Sequence, residues 1–565
     1  MTPQPIFIGV AWPYVNGDPH IGHLAGYLLP ADVCARFHRL RGHEVLMVSG
    51  SDCYGTPITV EADKRGVNPA KIVAEYHARD VALFQKLGIS YDLYTQTTTE
   101  NHHQVTQDIF LTCLRKGYIT KQTTDQYYDA KHQRFLPDRY VEGTCPFCGD
   151  TQARSDQCDV CGNVLEQGQL IEPKSKLTSA PVTLKPTEHY FFDWTKADQF
   201  LREYLAKQTD WKDWVHAEAS RWLERGLKPR AITRDLDWGV PLPVDQIPEA
   251  QRIEGIHEKR IYVWFEAVIG YLSASKEWAS KTGAKDSKGW EHFWQNPDAK
   301  HFYFMGKDNL IFHTLFWPGQ LHAYDESLNL PNFPAINQFL TLEGKKFSKS
   351  KGVIVDSEYI TSTYGIDPVR FYLLSIAPEN ADANFSWADF IHKHNDVLIG
   401  TLGNYVQRVL TLGQGVELDP TGLSTEMQTA VGHALATATA ALAHCQLKTT
   451  IDTVLDLADV GNKYLSKETP WVVRKTDSAK FAAIMSNAML VVLALGVVLQ
   501  PLLPTTAANL WQQLGLTPPA WGDDLLSQLQ AALSAVHLKQ RPRALFAPID
   551  VAAIEAEAAK VGAPI

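Results

Sequence analysis

Pro13-Tyr14-Val15-Asn16-Gly17-Asp18-Pro19-His20-Ile21-Gly22-His23 packs a strand end, a glycine turn, a helix-starting proline and two histidines into eleven residues. His20 and His23 are three apart, a spacing that on a helix puts both imidazoles on one face of the first turn. Free backbone N–H groups and the positive end of the dipole favour a phosphate there. Gly22 leaves room for a base or ribose against the backbone. Alone, such a pair is more often two capping or packing histidines; the Pro-Tyr-x-Asn-Gly context argues against that here. More than 300 residues later, Gly344-Lys345-Lys346-Phe347-Ser348-Lys349-Ser350-Lys351-Gly352 places four lysines between two glycines. A lysine run is by default a solvated loop, but mobile ammonium groups can also follow a phosphate as its charge moves to a leaving group. A third cluster, Cys145-Pro146-Phe147-Cys148 and Cys158-Asp159-Val160-Cys161, has two Cys-x-x-Cys hairpins nine residues apart, each followed by glycine. That is tetrathiolate zinc spacing, and a closed four-sulfur shell staples structure rather than catalyses. Two disulfides or a redox pair are the competing readings.

The elements that must hold these residues can be read from the same chain. Its 565 residues, 45% hydrophobic and 21% charged, suffice for roughly three or four domains. With 53 Lys+Arg against 63 Asp+Glu the net charge is −10, so the whole-molecule field does not attract a polyanion and any nucleic-acid contact must be local. Eight cysteines in this length make no disulfide scaffold and point to a reducing, cytoplasmic setting. Met1-Thr2-Pro3-Gln4-Pro5 has no basic-then-apolar leader pattern. The longest apolar run, Ala488 to Leu499, is too short for about 30 Å of hydrocarbon and reads as a buried helix, with no membrane partner.

Ile6 to Ala11 and Val45 to Val48 read as buried strands, each followed by a turn and a helical stretch, so residues 1–116 form the first half of a Rossmann-type parallel sheet. Residues 117–226, aromatic, polar and Cys-rich, form an inserted β-rich domain. Strand-like runs at Arg260 to Phe265 and His301 to Met305 return the chain to the sheet over 227–325. Residues 326–390 carry the lysine loop, and 391–565, with Ala-rich periodicity and no convincing strands, form an all-α helix bundle.

His20-Ile21-Gly22-His23 resembles the His-Ile-Gly-His signature of the class I aminoacyl-tRNA synthetases, and the lysine loop resembles their Lys-Met-Ser-Lys-Ser loop at Lys346, Ser348, Lys349 and Ser350, with Phe347 as apolar anchor in place of Met. From Ala11-Trp12-Pro13-Tyr14 through Arg139-Tyr140-Val141-Glu142-Gly143-Thr144-Cys145 to Tyr262-Val263-Trp264-Phe265-Glu266-Ala267, the chain is similar to the methionyl-tRNA synthetases over nearly everything except the last few dozen residues. The insertion is too short for the hydrolytic editing domain that enzymes for branched aliphatic amino acids need, since one methylene supplies only about 1–3 kcal/mol of discrimination.

The resemblance implies a ligase that activates L-methionine with ATP, assisted by Mg²⁺, and transfers it to tRNA(Met) for initiation and elongation. It implies catalysis by His20, His23, Lys346 and Lys349; ATP contacts from Gly22, Gly306, Lys307, Asp308, Ser348 and Lys349; and one structural Zn²⁺ on the four cysteines. The methionine pocket corresponds to Trp12, Tyr14, Asp52, Trp264, Ala267, Tyr271 and His313. A thioether gains from aromatic contact, and Asp52 can pair with the α-ammonium. Trp12, Val268 and Tyr54 stand where many relatives have an aliphatic residue, proline and histidine; they bear on pocket shape and on strictness against homocysteine. In the bundle, Asn404 and Arg408 share a helix face and Trp471 offers a ring, and the matching positions of the family read the CAU anticodon. The family also implies a chain that ends at the bundle, without a dimerising appendage, and so a monomer. Rival readings are a class I synthetase for another amino acid, a non-catalytic paralogue and a free-standing nucleotidyltransferase; the last would have no use for an anticodon-like bundle.

Overall fold

A computed structural model describes residues 3–560 apart from 137–139, 156–157, 159, 162–164, 166–167, 177, 284–288, 348–352 and 539–540. The buried apolar runs build its central sheet: β1 (Pro5–Val10), β2 (Glu44–Ser51), β3 (Leu93–Gln96), β4 (Lys300–Gly306) and β5 (Phe333–Asn337), in the order β5-β4-β1-β2-β3. All pairings are parallel, with Gly9 of β1 opposite Val48 of β2 and Tyr303 of β4. Every residue of β1 is buried, as a strand covered on both faces by helices must be. The chain steps from β1 to β2 to β3 and then resumes on the other side with β4 and β5. Strand order therefore reverses between β1 and β4, and at such a point the carboxyl ends of the strands open a crevice.

The helix α1 that follows β1 spans residues 21–40 and is not uniform. It starts as an α-turn over Ile21–His23, widens to a π turn over Leu24–Leu28 and returns to α geometry over Leu29–Leu40. Pro30 has no N–H to give the carbonyl four residues earlier. That carbonyl, of Gly26, instead accepts from the Asn337 side-chain amide at the end of β5, at 2.8 Å.

Arg260 to Phe265 departs from expectation. Lys259–Ile261 is a strand, but it pairs antiparallel with Thr233–Asp235 and Val240–Pro241 in a separate small sheet, and Val263–Glu266 is helical. β-Branched and aromatic residues gave the run its strand character; burial of Val263, Phe265 and Glu266 decided its conformation, the usual ambiguity of short apolar runs. Within the insertion, Ile119–Asp129 pairs antiparallel with Thr183–Phe192, and a small sheet of Val141–Thr144, Ala153–Arg154 and Ile171–Ser175 carries the cysteines.

The C-terminal helices are α2 (Asn404–Leu412), α3 (Thr425–Ala443), α4 (Leu447–Glu468), α5 (Ser478–Leu502) and α6 (Pro504–Leu514). α5 bears out the buried helix read from the Ala488 to Leu499 run but is longer than that run: its 25 residues are long and apolar enough to cross a bilayer by length and composition alone, yet 89% of its most apolar stretch is buried among the other helices. A helix that is apolar all round belongs inside a protein or a membrane, and here its neighbours fill the first role. Beyond α6, residues 541–549 lie back along α2, and the described residues close with α7 (Ala553–Lys560), where Glu557 accepts from Tyr364 Oη at 2.9 Å.

One buried guanidinium ties three regions together. Arg370, on Ile366–Ser375 and 1% exposed, reaches Asp32 of α1 at 2.8 Å and donates to the carbonyls of Pro501 and Leu502 at 3.1 and 2.8 Å. Those carbonyls close α5, where no intrahelical donor is available and a cation complements the dipole. Arg370, with Arg36, holds the fully buried Asp32 carboxyl below its usual range against the opposing effect of burial, which is the largest single influence on it.

Candidate active site

The crevice at the strand-order reversal is a cavity of about 450 Å³. Trp12 and Tyr14 come from the loop after β1, Asp52 follows β2, Gly306 ends β4 and Asp308 lies in the turn after it, and Phe339 follows β5. All seven residues expected around methionine line it, as do His20, Gly22, His23, Gly306, Asp308 and Lys346. Lys307 stands at its edge: its ammonium pairs with Asp382 at 2.7 Å and lies 4.3 Å above the Phe339 ring, and both of those residues line the cavity. Ser348 and Lys349 lie outside the described residues.

The two histidines meet by a different route from the one their spacing suggested. His20 is not inside the first turn but caps it, with extended backbone (φ −109°, ψ 173°). Its Nδ1 accepts the Gly22 N–H at 3.1 Å, and His23 Nδ1 accepts the His20 N–H at 3.0 Å, a capping box made of two imidazoles. The rings sit 4.0 Å apart. With both Nδ1 atoms accepting, the proton of each neutral ring lies on Nε2, so each ring carries a donor there. Phe347 stacks on His20 at 4.4 Å and 8°, which gives the apolar anchor of the lysine loop a definite seat. Gly22 is required by the same packing, because a Cβ there would meet the His20 ring at 2.8 Å and Phe347 at 3.3 Å. At Gly306 a Cβ would lie 2.8 Å from the Asp308 carboxylate, so that glycine also makes room for its own turn.

The apolar half of the cavity is built around large rings and the small residues that admit them. Trp12 is nested between Gly50 and Gly270, and a Cβ on Gly270 would approach its indole to 2.7 Å. Tyr14 packs likewise on Gly55. Trp264 stacks on Phe312 at 4.5 Å. His313 Nδ1 donates to the Asn309 carbonyl at 2.9 Å, which leaves Nε2 to accept from Tyr271 Oη at 2.7 Å. Burial pushes the His313 pKa down to about 4, so the ring is neutral at pH 7 and its orientation is set by these two bonds. Burial, and after it the nearby Glu266 carboxylate, hold the Asp52 carboxyl well above the usual carboxylate range, opposed by the Tyr54 N–H it accepts at 3.3 Å. A cation beside Asp52 would restore its charge.

Residue types and spacing gave no hint of several groups that matter here. Glu266 is wholly buried, accepts from His102 Nε2 at 2.7 Å and is raised well above its ordinary pKa by burial; His102 in turn contacts Ser273 Oγ at 2.9 Å. Tyr27, Gln338 and Phe339 also line the cavity. Phe312 adjoins His313 and could have been marked by it. Glu266 stands beside Ala267, but a lone glutamate next to a pocket residue signals nothing by itself.

The four cysteine sulfurs lie within 4.8 Å of one another, Cys145 to Cys161 at 3.8 Å and Cys148 to Cys158 at 3.6 Å. Tetrahedral Zn–S bonds of about 2.3 Å demand sulfur–sulfur edges of about 3.8 Å, whereas a disulfide needs about 2.0 Å. The donor set therefore fits zinc and not the paired disulfides.

In the helix bundle, Asn404 and Arg408 lie one turn apart on α2, and Asn404 is exposed, as is Trp471 at 47%. Their side chains lie far along the chain from the cavity, on the bundle's surface rather than in a pocket.

Comparison with known proteins brings these two sites into one frame. Residues 6–410 match the family described as tRNA synthetases class I (M), and residues 419–563 match the anticodon binding domain of methionyl tRNA ligase. The match thus runs to the last residues rather than stopping a few dozen short. The chain is 44% identical over 554 residues to the methionine–tRNA ligase of Thermomicrobium roseum, covering 96% of this chain and 92% of that one. It is 42% identical to that of Dehalococcoides mccartyi (strain CBDB1), covering 99% of both. In fold it resembles the methionyl-tRNA synthetase of Mycobacterium tuberculosis in complex with methionyl-adenylate, with a TM-score of 0.75 at 24% identity over 96% of this chain and 99% of that one.

Proposed function

This chain belongs to the methionyl-tRNA synthetases, class I ligases, and on that premise we propose how its own residues divide the reaction. The methionine carboxylate, already ionised at neutral pH, attacks the α-phosphorus of ATP in line. A carboxylate O–P bond forms, the bond to the β-phosphate bridging oxygen breaks, and pyrophosphate leaves with the electron pair. No general base is needed, so catalysis is positioning and charge stabilisation. Asp52 holds the α-ammonium. Trp12, Tyr14, Trp264 and Ala267 surround the thioether, with Tyr271 and His313 locked to each other below. The Nε2 donors of His20 and His23, with Lys346 and Lys349, take up the negative charge that builds on the phosphates. Gly22, Gly306, Lys307, Asp308 and Ser348 hold the nucleotide. Mg²⁺ accompanying the triphosphate would add further charge neutralisation.

In the second step the terminal 2′-hydroxyl of tRNA(Met) attacks the acyl carbonyl and AMP leaves. Asn404 and Arg408 hydrogen-bond the edges of unstacked anticodon bases, and Trp471 stacks on one. Cys145, Cys148, Cys158 and Cys161 would hold one Zn²⁺, which when bound cross-links the small sheet of the insertion. The domain division follows the same reading: catalytic halves at 1–116 and 227–325, insertion at 117–226, stem contact at 326–390 and anticodon bundle at 391–565. These roles place the reaction in the cytoplasm, where tRNA charging serves translation.

The observation that carries the reading is the single cavity in which the imidazole pair, Lys346 and all seven candidate methionine residues meet. Amino-acid-dependent ATP–pyrophosphate exchange tests it. Exchange should require methionine, and Lys349→Ala should lower it by about two orders of magnitude or more, the scale of losing a transition-state charge partner, with methionine affinity little changed. Exchange at the wild-type rate in that variant, or exchange driven by leucine or cysteine, would overturn it.

A further inference from the structure

One irregular helix carries three of the residues assigned to methionine, Trp264, Ala267 and Tyr271. It runs as an α-turn over Val263–Glu266, a 3₁₀ turn over Ala267–Ile269 and an α-helix over Gly270–Thr282. A 3₁₀ residue advances about 20° further around the axis than an α residue, so this turn rotates everything after it by about 60°. Trp264 precedes the turn, Ala267 opens it and Tyr271 follows it, and all three line the cavity. Where Tyr271 stands relative to Trp264, and with it the bond of 2.7 Å from Tyr271 Oη to His313 Nε2, depends on the turn keeping its tighter winding.

A single imidazole spans that turn. His102, on the helix Glu100–Arg115 and 1% exposed, bonds through Nε2 to Glu266 Oε2 at 2.7 Å and through Nδ1 to Ser273 Oγ at 2.9 Å. Glu266 is the last residue before the 3₁₀ turn, and Ser273 lies in the first turn of the α-helix beyond it. Asn101 Nδ2 donates to the Ser273 carbonyl at 2.8 Å, and further along Glu277 accepts from Thr95 Oγ1 of β3 at 2.8 Å. His102, Glu266 and Ser273 are all absent from the cavity wall. The His102 ring lies 6.3 Å from that of Trp12, and this indole packs on Gly270, where the α-helix resumes. Burial holds His102 down to about 3 and Glu266 above its ordinary range, so the clamp is made of hydrogen bonds between neutral groups. An apolar pair would fill the same space at lower desolvation cost. What the imidazole adds is two directional bonds set by one rigid ring.

We propose that His102 is a positioning residue for methionine recognition: by bonding Glu266 and Ser273 at once it holds the 3₁₀ turn between them and so sets the spacing of Trp264, Ala267 and Tyr271 around the thioether. This rests on the assignment of those three residues to methionine, and it extends the determinants of selectivity to a side chain outside the cavity.

Pyrophosphate exchange by the full-length enzyme, measured against methionine and against ATP, tests the proposal. His102→Leu should raise the KM for methionine about tenfold or more, the cost of a lost buried partner, and lower the preference for methionine over ethionine. The KM for ATP and kcat should change by less than about threefold. A role in folding alone would lower the active fraction, and so kcat, with both KM values unchanged; that result overturns the proposal. Glu266→Gln keeps the shape and the acceptor and should restore near wild-type behaviour, whereas Glu266→Leu should match His102→Leu. His102→Leu/Glu266→Leu should be no worse than either change alone, since one clamp can be lost only once. Penalties that add in the double variant overturn it. Should His102→Leu fail to fold, Ser273→Ala removes one bond and should still raise the methionine KM about threefold; no change there overturns the proposal as well. Ala267→Val keeps the two readings apart, because a branched side chain on the cavity wall should raise the methionine KM by itself. If it does so and His102→Leu does not, the clamp falls and the pocket stands. If Ala267→Val leaves the methionine KM unchanged, the pocket assignment falls and takes the clamp with it.

Discussion

The cavity and the bundle surface, as proposed to take methionine with ATP and tRNA, are built in opposite ways. In the cavity most of the imidazoles are wholly or partly buried and already bonded, His20 to His23 and Tyr271 to His313, with Glu266 bonded to His102 outside its lining. On the bundle the side chains singled out, Asn404, Arg408 and Trp471, are exposed. A small ligand with a fixed shape repays prior organisation, because the ordering cost is met during folding rather than at binding. A long flexible polyanion repays distributed, solvated contacts, each modest and salt-sensitive. The same chain therefore contains a site that tolerates almost no displacement and one that should tolerate a good deal.

This contrast can be broken most sharply at Lys346. Lys346→Ala should lower pyrophosphate exchange about 10²- to 10³-fold, as loss of a transition-state charge partner does, while tRNA binding in filter assays stays near wild type; equal damage to both would erase the distinction. Gly22→Ala comes next, with an expected fall of about 10²-fold, since a Cβ 2.8 Å from the His20 ring must displace it and small misplacements cost that much. Stopped-flow measurement of adenylate formation would show the loss in the chemical step. Trp471→Ala should leave exchange intact and raise the KM for tRNA by about tenfold, within the range of one base–aromatic stack; unchanged charging kinetics would remove Trp471 from the interface.

The remaining effect is on stability and concerns protons. Burial, as the first cause, holds His38 and His102 down to about 3 and His301 and His313 down to about 4, from an ordinary 6.5. An unfolded chain below pH 6.5 takes up protons these folded rings refuse. Their contribution is thus complete above that pH and is lost as pH falls towards 3 to 4, by up to about 1.4 kcal/mol per ring per pH unit. Urea midpoints measured at pH 7, 6 and 5 should fall steadily, and a rise towards pH 5 would contradict the dominance of these rings over the raised carboxyls. Asp52 and Glu266, held above their ordinary values, act with the opposite sign and lose stability as pH rises, so the acid slope measures the histidines net of them.

What could be read from the chain without coordinates divides along similar lines. The imidazole pair, the lysine loop and the four cysteines were legible because each chemistry needs neighbours close in sequence. The parallel sheet was legible from buried runs alternating with helical ones. Misreading Arg260 to Phe265 came from residues whose strand propensity was real but weaker than the packing around Glu266. The nest of Gly50 and Gly270 around Trp12, and the bond from Gln407 to the Pro542 carbonyl, join positions tens to more than two hundred residues apart. No local pattern encodes such meetings. The helical character of α5 was clear, but its neighbours, which make it a core helix, were not.

The Arg370 clasp carries a consequence for how the protein can be taken apart. Asp32, Arg370 and the last carbonyls of α5 share one buried charge balance, so cutting the chain between the synthetic half and the bundle would leave a guanidinium and a carboxylate facing each other with part of their shell gone. The two halves are thereby coupled through one buried charge balance, and neither should detach from the other without exposing it.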